Sequence, residues 1–131
     1  MIKFNLSVPE TILTDQSRLL QIVRNLVSNA LKYTHRGSIE ISVKFDNKKS
    51  LLVCSISDTG VGIADQNKNK VFKPFQRFRE TENMNNEGIG IGLCVSRKIV
   101  KSLDGKISFV SEPTIRQGST FTFTIMATNP F

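Results

Sequence analysis

Tryptophan is absent from the 131-residue chain, and tyrosine occurs once, at Tyr33. With so little to stack bases on, the net charge of +7, spread along the chain, reads as solvated surface charge and not as a nucleic-acid footprint. Cysteine is scarce too: Cys54 and Cys94 each lie in an apolar run without metal-ligand spacing. Two buried thiols and a reducing, cytoplasmic compartment are the expectation. No stretch approaches ~18 uninterrupted apolar residues, and the first ten residues lack a signal-peptide core, so no membrane contact by this domain is expected. No internal repeat or linker interrupts the chain, which is expected to form one domain over residues 1–131.

What is present is organised around residues 15–33, DQSRLLQIVRNLVSNALKY. At ~100° per residue, Leu19, Val23, Leu26, Val27, Ala30 and Leu31 form one apolar arc of a helix. Thr14 or Asp15 can cap its first turn, and Lys32 suits the dipole in its last. Asn25, Asn29 and Lys32 gather on the opposite face, where Asn25 and Asn29 stand one turn apart. Asparagine costs up to about 0.7 kcal/mol against alanine inside a helix. Two on one face with a lysine could form an oxygen-and-ammonium site for a metal-bound polyphosphate. Taken alone, the same pattern is commoner on an ordinary solvated helix face.

Around this helix the chain alternates. Residues 3–8 read as an edge strand closed by Pro9, and Gly37 supplies a helix stop. Residues 38–45 and 51–57 form an antiparallel hairpin across DNKK. A second helix is expected to open at the glycines 88, 90 and 92 and run to about residue 103. Strands at 106–111 and 119–127 pair across the loop 112–118. The fold expected is a two-layer α/β sandwich, with a mostly antiparallel mixed sheet of about five strands under two to three helices. Residues 64–88, with their polar ETENMNNE tract, form a long irregular insertion of the functional or mobile kind.

Three further features carry chemistry. Asp58 ends a strand and opens the turn Asp58-Thr59-Gly60-Val61-Gly62-Ile63, where the two glycines permit positive φ and close approach of a flat ligand. Its carboxylate can accept from an exocyclic amine such as adenine's, or simply cap its own turn. Asp-Thr-Gly is also the aspartic-protease signature, but that chemistry needs two aspartates and a nearly all-strand fold. Gly88, Gly90 and Gly92 precede a helix whose free N–H groups favour anions, although their spacing fits neither a dinucleotide fingerprint nor a Walker motif. Lys68, Lys70, Lys73, Arg77 and Arg79 could reach phosphates if the insertion closes as a lid.

The order N-x-x-x-N-A-x-K-Y, D-x-G-x-G-I, F-x-P-F-x-R-F, G-x-G-x-G-L resembles the N, G1, F and G2 boxes of the ATP-binding catalytic domain of sensor histidine kinases. Gly118-Ser119-Thr120-Phe121 is similar to that family's closing motif. The resemblance implies the Bergerat fold of the GHKL superfamily, with ATP under a flexible lid over residues 64–88. It implies Asn29 as Mg²⁺ ligand, Asn25 beside it, Lys32 on the phosphates and Tyr33 near the nucleoside. Asp58 would read the adenine amine in a pocket shaped by Gly60, Gly62 and Ile63. Phe72 and Phe75 would anchor the lid and Arg77 approach the phosphates. Gly88, Gly90, Gly92 and Leu93, with Thr120, would complete the nucleotide contacts. The related ATPases carry a glutamate base where Asn25 stands, so phosphotransfer is expected over hydrolysis. His35, the one histidine, follows the N box and takes no catalytic role. The resemblance thus implies the catalytic part of a two-component protein-histidine kinase. The partners the resemblance implies are a separate histidine phosphoacceptor/dimerisation domain and a downstream response regulator. The isolated domain is expected to be monomeric and cytoplasmic, although the parent could be membrane-anchored. A nucleotide-sensing module without turnover and a GHKL-type ATPase are the alternatives.

Overall fold

The computed structural model describes residues 1–74 and 91–130. In chain order these form β1 (Ile2–Ser7), α1 (Gln16–Tyr33), β2 (Ile39–Asp46), β3 (Leu51–Asp58), a 3-10 helix (Asp65–Lys70), α2 (Gly92–Ser102), β4 (Lys106–Val110) and β5 (Ser119–Met126). The sheet order is β1-β2-β3-β5-β4. β1 runs parallel to β2 because α1 crosses between them, and every other pair is antiparallel.

Strand alternation divides the sheet into two unlike faces. Leu52, Cys54, Ile56 and Asp58 of β3, and Ser119, Phe121, Phe123 and Ile125 of β5, point under the helices and are buried. The intervening residues face outward and pair through hydroxyls, Ser55 with Thr122 at 2.9 Å and Ser57 with Thr120 at 2.8 Å. One apolar face and one hydrogen-bonded wet face are what a two-layer antiparallel sheet permits. Full burial of Phe123 at the centre stabilises the fold by roughly 1.5–3 kcal/mol.

The capping expectation for α1 holds at Asp15, whose Oδ1 accepts from the Arg18 N–H at 3.1 Å. Its buried stripe is Ile22, Leu26 and Ala30, whereas Leu31 is 54% exposed. The expected arc is therefore rotated. α1 packs on β3 and α2 together, which draws Ile22 inward and leaves Leu31 on the outer flank. The helix also stops without its glycine. Thr34 is extended, and the Tyr33 carbonyl accepts from the Val61 N–H at 3.2 Å, so the DxGxG turn satisfies the helix end. Gly37, at φ +134, sits against Thr59 instead.

α2 ends in a Schellman turn. Asp104 takes the left-handed conformation at φ +57, with its N–H on the Lys101 carbonyl at 3.1 Å, and the Gly105 N–H reaches the Val100 carbonyl at 2.9 Å. Among the described residues no helix is long and apolar enough to cross a membrane.

Cys54 is buried within this core, and loss of solvent pushes its thiol from 9.0 to about 12. The thiol therefore ionises first in the unfolded chain, and this contribution to stability is intact below pH 9.0 and lost progressively towards about 12. Alkylation of native protein is expected to modify the half-buried Cys94 while sparing Cys54, with both reacting in denaturant. Equal native rates, read by mass spectrometry, would contradict this burial.

Candidate functional site

The polar face of α1 meets the first turn of α2. Asn25 Nδ2 lies 3.3 Å from the Gly92 carbonyl oxygen and 3.2 Å from Ser96 Oγ. A carbonyl only accepts, so the amide nitrogen must face Gly92. Asn25 thus ties the two helices, and the buried Ser96 receives a partner through it. Asn29, one turn on, is half-buried and its side chain makes no hydrogen bond among the described residues. Lys32 is likewise half-buried and free of ion pairs among them. Tyr33 closes the same face and joins it, through its carbonyl and Val61, to the turn after β3.

Asp58 sits at the end of β3, 3% exposed. Its Oδ1 accepts from the Gly60 N–H at 2.9 Å and its Oδ2 from Ser119 Oγ–H at 3.0 Å. The aspartate does cap its own turn, as any turn aspartate would. An ionised carboxylate nevertheless offers about four acceptor positions, and these two bonds leave capacity for a ligand donor. The Thr34 Oγ1 beside Gly60 is buried with no partner among the described residues, an orphaned polar atom at the same place.

The two glycines of this turn act differently. Gly62 has φ +73, as expected. Gly60 does not adopt positive φ; a Cβ there would lie 2.2 Å from the Tyr33 carbonyl oxygen, so glycine is needed for close packing of the turn on the helix end. Ile63 is a core residue, its N–H held by Ser111 Oγ at 2.8 Å, while that hydroxyl donates to the Gly118 carbonyl at 3.0 Å. Ser111 and Ser119 were missed by the motif reading. The signal for Ser119 was its phase with Phe121, Phe123 and Ile125. The same alternation turns Thr120 to the outer sheet face, bonded to Ser57 and, at 3.1 Å, to Arg116 Nη2. The expected nucleotide contact thus falls on the wrong face, and it is Ser119 that reaches Asp58.

Phe72 is half-buried and meets Phe109 and Phe121 edge-on, at 5.9 and 6.2 Å between ring centroids. Lys68 is committed elsewhere than to phosphates. It pairs with Asp65 at 2.8 Å and Glu112 at 3.0 Å, and the hydrogen bonds to these two carboxylates raise its pKa. Gly92 is the first residue of α2 and Leu93 packs on the core. Phe75, Arg77, Gly88 and Gly90 lie outside the described residues.

No cluster of three histidine, cysteine or acidic side chains occurs among the described residues. Asn29 carries a hard amide oxygen that makes no hydrogen bond among the described residues, a donor type that suits Mg²⁺.

Comparison with known proteins identifies the family and the fold. Residues 14–129 match the family described as histidine kinase-, DNA gyrase B-, and HSP90-like ATPase. The chain is 38% identical over 121 residues to the signal transduction histidine-protein kinase BarA of Escherichia coli, covering 90% of this chain and 13% of BarA. It is 37% identical over 131 residues to the aerobic respiration control sensor protein ArcB of the same organism, covering 96% of this chain and 16% of ArcB. The chain thus spans less than a fifth of these curated relatives. Its structure is similar to the catalytic domain of histidine kinase ThkA, with a TM-score of 0.74–0.75 in two crystal forms and 28% identity. That match covers 95% of this chain and 77% of the ThkA chain in one of those forms.

The Asn25 bridge makes a direct prediction. Asn25→Asp replaces two donated bonds with a carboxylate facing the Gly92 carbonyl, so it is expected to cost about 1–3 kcal/mol. A thermal melt should fall by several degrees, and an unchanged melt would show that the bridge contributes nothing.

Proposed function

The chain belongs to the histidine kinase-, DNA gyrase B-, and HSP90-like ATPase family, and on that premise we propose that it binds Mg²⁺·ATP and presents the γ-phosphoryl group to a histidine on a separate dimerisation domain. The observation that carries the reading is the buried Asp58, fixed by Gly60 and Ser119 with acceptor capacity to spare. Such a group can take the exocyclic N–H of adenine, and the rigid turn around it costs little further ordering when ligand arrives.

The remaining residues take roles around that anchor. Lys32 supplies positive charge to the phosphates from the last turn of α1, and Tyr33 borders the nucleoside. Asn29 would hold the metal through its amide oxygen. Bound Mg²⁺ supplies neutralisation of the charge that builds on the phosphoryl oxygens. Asn25 distinguishes transfer from hydrolysis. Its amide is spent on Gly92 and Ser96, and it cannot take a proton from water at neutral pH. The nucleophile is then the acceptor imidazole itself, and catalysis consists mostly of positioning. BarA and ArcB are far longer than this chain, which supports an acceptor domain elsewhere in a longer protein, with a response regulator receiving the phosphoryl group afterwards. The isolated domain is expected to be monomeric.

Two experiments test the proposal. Asn29→Ala should reduce phosphotransfer to a supplied acceptor domain by more than about 100-fold, in line with the loss of one preorganised charge-stabilising contact. Full activity of that variant would sink the metal role. Asp58→Asn should weaken ATP by roughly tenfold or more, as expected for a hydrogen bond to a charged acceptor, while purine riboside triphosphate, lacking the amine, is weakened far less. Equal losses by calorimetry would reject the adenine role.

A further inference from the structure

On the flank of α2 turned away from Asn25 lies a cleft that is independent of the nucleotide reading. Arg97 and Lys101, one turn apart on α2, face Lys106 at the start of β4 across a cleft of about 360 Å³. Phe72 and Ile107 supply its apolar lining and Gly105 its backbone edge. The Arg97 guanidinium stands 5.7 Å from the Phe72 ring centroid, a contact that orients its planar fork and uses none of its N–H donors. Among the described residues, no acidic side chain forms an ion pair with Arg97, Lys101 or Lys106; the ion pairs there belong to Lys68.

Three cations lining one cleft repel each other, and such an arrangement is stabilised when an anion enters. The cleft falls in the size range of small-molecule sites, and its lining joins apolar side chains to cationic donors. A planar guanidinium with two ammonium groups suits a dianionic phosphate in particular, because the fork can bond two of its oxygens while the lysines supply point charge. From this we infer that the cleft between α2 and β4 is a binding site for a small phosphate monoester with a flat or apolar body, separate from the candidate nucleotide site. The phosphate lies among Arg97, Lys101 and Lys106, and the body rests on Phe72 and Ile107. Because α2 also carries Gly92 and Ser96 on its opposite flank, occupancy bears on the helix that Asn25 holds.

Phenyl phosphate is the probe, since it joins a dianion to a flat apolar ring. Titrated into ¹⁵N-labelled protein, it should move the amides of Arg97, Gly105 and Ile107 in a saturable way, leaving those of Asn29 and Asp58 in place. Inorganic phosphate, without the ring, should bind several-fold more weakly. Arg97→Glu combined with Lys101→Glu should lower the affinity at least tenfold. Lys106→Glu alone, on the other wall, should lower it several-fold and serves if the double variant loses its native spectrum. Absence of saturation, shifts centred on Asp58, or undiminished binding by the charge-reversed variants would each overturn the site.

Discussion

The register of β3 against β5 governs what this molecule can present at the ends of its strands. Asp58 pairs with Ser119 and Ile56 with Phe121, so the inward phase that fills the core with Ile56, Phe121 and Phe123 also carries a carboxylate and a hydroxyl inward at the strand ends. A slip of β3 by one residue would exchange its two faces, putting Ser57 under the helices opposite Ser119 and Asp58 in water. The apolar interior is therefore what specifies the polar site. A buried aspartate at a strand end is costly unless it is bonded, and the Gly60 N–H and the Ser119 hydroxyl meet that requirement while leaving it able to accept more.

From that point the site is assembled by backbone contacts more than by side chains. The Tyr33 carbonyl at the end of α1 accepts from Val61, and Gly60 is small enough to let the two segments close. On the far side, Ser111 binds both Ile63 and Gly118, stitching the same turn to the β4–β5 connection. Asn25 then sets the first turn of α2 against α1. Each tie is modest, about 1 kcal/mol for a typical intramolecular hydrogen bond. They join four segments distant in sequence, so together they fix one geometry where any one alone would leave the turn free.

Much of this was legible in the sequence, and the failures have particular causes. The helix over residues 16–33, a cap at Thr14 or Asp15 and the β2–β3 hairpin followed from periodicity and turn chemistry, which are local properties, and the structure selects Asp15. The centre of the buried stripe did not follow, since Ile22 is inward only because α2 and β3 both press on α1. Gly60 was read for its conformational freedom, yet its need is steric and involves a carbonyl 27 residues upstream, which no local pattern contains. Thr120 was read from a motif, and strand phase contradicted it. Period-two alternation from Phe121 and Phe123 would have placed Ser119 inward. Lys68 looked like one of several interchangeable lid cations until Asp65 and Glu112 claimed it.

The same distinction between claimed and unclaimed charge separates the two flanks of α2. Lys68 has its carboxylates, and its positive charge is largely answered within the described residues. Arg97, Lys101 and Lys106 are not answered there, and exposed like charges on one cleft persist only at some cost in repulsion, screened over ~8–10 Å by salt. On the other flank Lys32 stands beside Asn29 in a comparable state, a cation with no ion pair among the described residues. The helix therefore separates two surfaces carrying unpaired cations, one an amide face on α1 joined to the turn of a buried aspartate, the other a cleft with an aromatic floor. A carboxylate that accepts and a guanidinium that donates select different portions of a ligand. On the functions proposed above, the first flank would take a base and its metal-bound phosphates and the second a phosphate directly, a difference that charge alone does not make.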